Sequence, residues 1–357
     1  MVNTYYQLIF AVQLKITLFK EDEIVLLISD HSACAELVAD NIKKTHFFDE
    51  VHYISTLGTG DNRTNIQKIE DFLQITFCKR NRYYSYIKEI KNLCFDEMLV
   101  FNYNISTYGL YALLSQHNRM IKVSRFEEGV LSYNTGVMQT KRRRLIDRLR
   151  EMQGKPSITN ALDYFYCFYP KLYLGGLDPV AVPQIKRQKE LVDTLQKAFG
   201  LDQVTISYPE KYIFFTSVYD FEGGDSIGEY ELVCRIAEIV GKEDLLVKVH
   251  PRDRRSLYVD NGFKVDRNSS VPWEVIQLSL DFSNKVFITT TSGSVLAGSL
   301  MSEDKVKTYY MYRCCDLSGN VSAIETVRNI EALLEGPMMK ERLGMVEVAE
   351  QLEDICR

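Results

Sequence analysis

Two hydrophobic periodicities alternate along the first third of the chain. Leu8, Ile9, Val12 and Ile16 recur at helical spacing, whereas Ile24 to Ile28 form a continuous apolar run of the length of a buried strand. The same reading predicts a helix over 32–43, a strand over 51–55, a polar turn and a helix over 65–77. A strand over 98–101, a helix over 106–116 and a strand over 121–125 follow. This order of strands and helices predicts a parallel sheet with helices on both faces.

Between about 150 and 210 the pattern loosens. Pro156, Pro170, Pro179 and Pro183 stand among aromatic residues and Gly175-Gly176, and one helix is expected over 184–199. A second alternating block then begins, with strands over 212–216, 245–249, 286–290 and 307–311. Its helices are expected over 228–240, 273–280, 294–301, 323–334 and 339–355. The expected organisation is an N-terminal Rossmann-like domain over 1–155, a linker region over 156–210 and a C-terminal Rossmann-like domain over 211–357. In that α/β architecture a ligand binds in a cleft at the carboxyl ends of both sheets.

Length agrees with two cores, since 357 residues exceed what one ordinary domain holds. A net charge of -5 does not supply the positive field that nucleic-acid binding needs, so no nucleic-acid partner is expected. One local exception is Lys141-Arg142-Arg143-Arg144, continued by Arg148 and Arg150. Such a run is ordinarily a solvated face, and it could also meet anionic lipid headgroups, a peripheral membrane contact.

Eight cysteines are scattered without paired spacing and, with only five histidines, form no ligand pattern, so no structural metal is expected. They read as reduced thiols of a cytoplasmic protein. No apolar stretch reaches the length of about eighteen residues that a membrane span needs, and the first residues lack a secretory signal pattern.

Residues just past the carboxyl ends of parallel strands point into the crevice, and three such places are chemically complementary. The first is Arg125-Phe126-Glu127-Glu128-Gly129. Paired carboxylates before a turn-permitting glycine can hold one side chain as a general base, its pKa raised by its neighbour. The second is Lys248-Val249-His250-Pro251-Arg252, where proline biases His250 toward an extended backbone and the ring can donate to a departing phosphate. The third is Thr289-Thr290-Thr291-Ser292-Gly293-Ser294, a hydroxyl-rich turn entering a helix, where backbone N–H groups and hydroxyls form an anion site. Taken singly, each also reads as an ordinary acidic turn, a strand-end histidine or a helix cap.

Together, the order and spacing of Glu-Glu-Gly, His-Pro and the Ser/Thr-rich turn resemble bacterial sialyltransferases. The opening Thr4-Tyr5-Tyr6-Gln7-Leu8 and the context Phe126-Glu127-Glu128-Gly129, followed by Ser132-Tyr133, are most similar to glycosyltransferase family 52, which includes lipooligosaccharide and capsule sialyltransferases. The resemblance implies a GT-B fold and an inverting, metal-independent transfer of sialic acid from CMP-sialic acid. The implied acceptor is a terminal sugar hydroxyl of a bacterial surface glycan, with galactose and an α-2,3 linkage expected.

Carried over by position, Glu127, in preference to Glu128, supplies the base. His250 meets the CMP phosphate, and Gly129, Lys248, Pro251, Arg252, Thr290, Thr291, Ser292, Gly293 and Ser294 make up the donor site. CMP-sialic acid is a co-substrate, no cofactor is implied, and a homodimer is expected by resemblance alone. One departure stands out: family members begin with a strand before the Thr-x-Tyr-Gln-Leu segment, where this chain has only Met1-Val2-Asn3.

Two other readings keep the same fold. One is a transferase for a UDP-sugar such as glucose. The other is a non-catalytic glycan-assembly protein whose cleft binds sugar and transfers nothing.

Overall fold

The computed structural model describes residues 1–54, 64–78, 80–82, 94–133, 141–186, 188–203, 205–222, 224–266, 271–301, 306–335 and 345–356. They divide into two compact α/β units, Met1–Pro183 with Asp193–Gly200, and Gln184–Val192 with Leu201–Arg357.

The first unit opens with helix α1 (Tyr5–Ile16), whose start is set by Thr4, the side chain of which accepts from the Gln7 N–H. Strand β1 (Val25–Ser29), α2 (Ala35–Lys44), β2 (Glu50–Ile54) and α3 (Asn65–Phe77) follow. A reciprocal pair of hydrogen bonds between Thr64 and Gln67 fixes the start of α3. Next come β3 (Glu97–Val100), α4 (Ile105–Leu114), β4 (Lys122–Phe126), α5 (Lys141–Met152), β5 (Leu162–Cys167) and β6 (Asp178–Ala181), and the division between the units falls within α6 (Lys189–Ala198). The polar turn expected after β2 lies outside the described residues.

All pairings here are parallel, β1 with β2 and β3 through β6 in sequence order. The expected linker therefore needs correction. Its aromatic run Leu162–Cys167 forms β5, and Asp178–Ala181 forms β6, which together extend the sheet begun by β3 and β4, because Phe165 and Cys167 are buried and their backbone pairs with its neighbours. Proline at 179 sits on the last strand of this sheet, where a missing ladder donor is tolerated.

The head of the chain stands where the departure from the family pattern was expected. Val2 forms an isolated parallel bridge to Ile28, donating to Leu27 O at 2.8 Å and accepting from Ser29 N at 3.0 Å. The Met1 amine donates to Leu99 O at 2.8 Å. Val2 on β1 and Met1 on β3 thus link the two strands, and a cavity of about 350 Å³ opens there, lined among others by Met1, Val2, Leu26, Met98 and Leu99.

The second unit contains β7 (Tyr212–Phe215), α7 (Glu229–Val240), β8 (Leu245–Lys248), α8 (Leu257–Asp260), β9 (Lys264–Val265) and α9 (Trp273–Ser279). It continues with β10 (Val286–Thr289), α10 (Ser294–Met301), β11 (Lys307–Tyr310), α11 (Val321–Glu335) and β12 (Val346–Val348). Its sheet order is β12-β11-β10-β7-β8-β9, all parallel. Relative to the first strand of this unit, that is the doubly wound Rossmann order, with its switch point between β7 and β10.

Both central strands are buried along their whole length, which is why Tyr-Ile-Phe-Phe and Val-Phe-Ile-Thr read as unbroken runs instead of alternating ones. The helix expected over 339–355 needs correction: residues 339–344 lie outside the described residues, and beyond them the chain forms β12 and a 3-10 turn over Leu352–Cys356. Val346 and Val348 flank an exposed Glu347, a period of two that belongs to a strand. Each unit is thus Rossmann-like, the build expected of either half of a GT-B enzyme.

Candidate functional sites at the strand ends

In the first unit, β4 delivers Glu127 and Glu128 at its carboxyl end, and Gly129 turns the chain with a φ of 80°, a conformation that glycine adopts without strain. The two carboxylates have different fates. Glu127 is 1% exposed. Its oxygens accept from Tyr6 Oη at 2.7 Å, from the Phe168 N–H at 3.0 Å and from Tyr133 Oη. Burial raises its pKa to about 7, against the opposing effect of these three donors.

Glu128 is only half-buried. Thr4 Oγ1 donates to its Oε1 at 2.7 Å, and the Gln7 side chain also bonds to it. Its own N–H donates to Ser132 Oγ at 3.2 Å. Burial raises its pKa, opposed by those hydrogen bonds and by the charges of His31 and Arg125. Thr4, Tyr6, Gln7, Ser132 and Tyr133, recognised in sequence as flanking motifs, therefore converge on the acidic pair. Of the two, Glu127 is fully enclosed by its donors, and Glu128 is the more exposed carboxylate.

In the second unit, β8 ends next to β7, and the His250 N–H donates to Thr216 Oγ1 at 2.8 Å. The half-buried imidazole accepts the Arg252 N–H on Nδ1 at 3.2 Å. Nδ1 is therefore the unprotonated nitrogen, and in the neutral ring the proton sits on Nε2 as a donor. Burial, with Arg252 second, lowers the pKa of His250, which keeps the ring neutral near neutral pH. Pro251 is exposed beside it.

Lys248 does not join this group. Its buried ammonium is 2.7 Å from Asp266 Oδ2 and 5.5 Å from the centre of the Trp273 ring. A buried cation needs such a counterion, so its place as a donor-site residue is corrected to a structural ion pair. Arg252 is exposed and paired with Glu222 Oε2 at 2.6 Å.

On the other side of β7, the Ser/Thr-rich turn follows β10. Thr289 Oγ1 donates to Phe215 O at 2.9 Å and accepts from the Ser292 N–H at 2.9 Å. Thr290 is fully buried and donates to Glu229 Oε2. Its hydroxyl hydrogen is thereby committed, and Thr290 moves from anion donor to scaffold. Thr291 is buried, Ser292 and Ser294 are half-buried, and Gly293 is exposed at the entry to α10.

Glu229 is the residue that the sequence reading missed. Its carboxylate also accepts the Ser217 N–H at 2.7 and 3.0 Å, so it ties the ends of β7 and β10 together. Burial raises its pKa to about 7, opposed by Thr290 and Ser217. It is the first residue of α7, and Asp220 accepts from its N–H, from that of Tyr230 and from that of Ile227 just before the helix. The only local signal was a carboxylate in a helical first turn, and such residues usually serve the helix dipole.

Among the described residues no cluster of three or more His, Cys, Asp or Glu side chains is positioned to hold a metal ion. No described helix is long and apolar enough to cross a membrane.

Solved structures with a similar course of chain include the UDP-GlcNAc 2-epimerase from Methanocaldococcus jannaschii, 13% identical over 99% of this chain and 89% of that one, with a TM-score of 0.45. Another is the glycotransferase of kitacinnamycin, 13% identical over 94% and 89% of the two chains, with a TM-score of 0.46. No curated protein matches the chain. A family model, alpha-2,8-polysialyltransferase (POLYST), matches residues 1–311. That match takes in the acidic pair, the His-Pro segment and the hydroxyl-rich turn alike, and the chain belongs to the alpha-2,8-polysialyltransferase family.

Proposed function

We propose that this chain is an inverting sialyltransferase that moves sialic acid from CMP-sialic acid to a sugar hydroxyl of a bacterial surface glycan. The observation that carries the reading is the hydrogen-bonded crest of the second sheet. There His250 and the Thr291-Ser292 turn flank the end of β7, at the switch point where nucleotides bind in Rossmann sheets.

In this mechanism the acceptor oxygen attacks the anomeric carbon of the sialyl group as its bond to the CMP phosphate breaks. The acceptor proton passes to Glu128, and the electron pair leaves with the phosphate. His250 Nε2–H and the hydroxyls of Thr291, Ser292 and Ser294 stabilise the charge that develops there. A raised carboxyl pKa suits the base, because a stronger base takes a hydroxyl proton more readily. Since the leaving group is a phosphate monoester served by these donors, the mechanism requires no divalent ion. The finer kinship with family 52 and a homodimer belong to the same reading and rest on resemblance, and a cytoplasmic setting rests on the scattered cysteines.

The acceptor is the open variable. Galactose with an α-2,3 linkage is the expectation from the motifs, and the matching family's description names α-2,8 linkage, that of sialic acid on sialic acid. The test incubates the protein and CMP-sialic acid with EDTA and either a galactose-terminated or a sialic-acid-terminated glycan, and weighs the products by mass spectrometry. A product one sialyl residue heavier supports the reading in either arm, and the arm identifies the acceptor. Calorimetric preference for UDP over CMP overturns it in favour of a UDP-sugar transferase. Tight CMP binding without turnover on either acceptor overturns it in favour of a glycan-binding protein.

A further inference from the structure

The outward face of α3 carries Ile66, Ile69, Leu73 and Phe77, spaced at helical turns and therefore aligned in one stripe. All four are exposed, from 46% at Leu73 to 70% at Ile66. A stripe of this kind is ordinarily the core face of a helix. Here the core face is the opposite one, where Asp71, Ile75 and Thr76 are buried.

Helix α5 lies alongside in the same direction. Arg142 donates to Lys68 O near the start of α3, Arg150 to Ile75 O at 3.0 Å, and Gln153 to Thr76 O at 3.2 Å near its end. Its inner face buries Ile146, Asp147 and Arg150. Its outer face interleaves three cations with two apolar side chains in the order Lys141, Arg144, Leu145, Arg148 and Met152, all exposed. Met152 is 77% exposed. Glu70 is the carboxylate on the outer stripe of α3.

Two parallel helices thus present one surface on which large apolar side chains alternate with net positive charge, in a protein whose overall charge is -5. Contiguous exposed apolar surface marks a contact face. Basic residues beside it select a negatively charged, apolar partner, and a lipid interface with acidic headgroups satisfies both demands at once.

We propose that the outer face of α3 and α5 seats this protein on an anionic membrane surface, with Ile66, Ile69, Leu73 and Phe77 entering the headgroup boundary and Lys141, Arg144 and Arg148 meeting acidic headgroups. The proposal concerns a surface distinct from the strand-end sites and holds whether or not the transfer reaction is the one proposed above.

The test is sedimentation of the purified full chain with vesicles of phosphatidylcholine alone or mixed with phosphatidylglycerol, at low and high salt. The expected result is partitioning at least about tenfold stronger onto the mixed vesicles, weakened by salt. Lys141→Gln with Arg144→Gln and Arg148→Gln should abolish the preference for phosphatidylglycerol. Ile69→Ser with Leu73→Ser and Phe77→Ser should abolish partitioning while leaving the melting temperature unchanged. Equal partitioning onto both vesicle types, or no loss in the two variants, overturns the proposal. A dimer that becomes monomeric in light scattering when the stripe is replaced, with no vesicle binding by the parent chain, overturns it in favour of self-association.

Discussion

The phenol hydroxyl of Tyr6 donates to Glu127 at 2.7 Å across 121 residues of sequence. That bond, with those from Tyr133 and the Phe168 N–H, encloses the first carboxylate of the acidic pair and leaves the second to face solvent. Two adjacent glutamates thereby acquire different work, and substitution should separate them.

Glu128→Gln is expected to lower turnover by about 10²–10⁴-fold, the usual contribution of a positioned base, with a melting temperature close to the parent's. Glu127→Ala should instead leave buried donors unsatisfied and cost about 1–3 kcal/mol for each one left without water. Urea denaturation beside initial-rate kinetics measures both effects. Equal loss of turnover with full stability in the two variants would refute the division.

Glu127 and Glu229 each titrate at about 7 in the folded chain, raised by burial from the ordinary carboxylate value. The folded state therefore holds protons that the unfolded chain has released. Stability from these two groups is complete below the ordinary carboxylate range and declines as pH rises toward about 7. Melting curves at pH values spanning that window should show Glu127→Gln and Glu229→Gln gaining on the parent as pH increases. Parallel curves would show that neither group is coupled to folding in this way.

The neutral ring of His250 presents Nε2–H because Nδ1 accepts from Arg252. Replacing it by alanine should reduce turnover by about 10²–10³-fold, as for other single donors to a developing anion. Asparagine or glutamine at this position should restore part of the rate, since an amide N–H can also donate. Full transfer activity of His250→Ala, measured as the rate of CMP release from CMP-sialic acid, would remove the imidazole from the mechanism.

Glu229 holds Ser217 and Thr290, next to the residues proposed to meet the donor. Glu229→Ala should raise KM for the donor by about tenfold, the equivalent of one lost hydrogen bond, with a smaller change in KM for the acceptor. Glu229→Gln, which keeps an acceptor oxygen, should recover much of the difference. A uniform fall in active protein with unchanged KM values would mark a purely structural role.

Lys248 provides the converse case. Its ammonium lies on Asp266 at 2.7 Å, and Lys248→Ala strands that carboxylate in a buried place, at a cost of about 3–5 kcal/mol. The folded fraction should bind CMP as the parent does, which calorimetry on the active fraction can establish. Weakened CMP affinity without loss of stability would return the residue to the donor site.

Much of this molecule is legible in its sequence. Apolar runs at Tyr212 to Phe215 and Val286 to Thr289 announce buried parallel strands, because a strand covered on both faces has no polar side to show. The acidic pair, the His-Pro segment and the hydroxyl-rich turn are legible for a related reason. In a doubly wound fold a ligand meets the residues just past the carboxyl ends of the strands, so chain position alone nominates them.

Tertiary structure decided partnership and exposure, which depend on distant segments. Donors around Glu127 come from the first helix and from the end of the neighbouring strand β5, the counterion of Lys248 from eighteen residues on, and the carboxylate behind Thr290 from the start of α7. The apolar stripe of α3 has the spacing of a core face and yet points to solvent, since amphipathic period states that a helix has two sides and the packing of its neighbours selects which one is covered. Periodicity is a local property, while burial and pairing belong to the assembled chain.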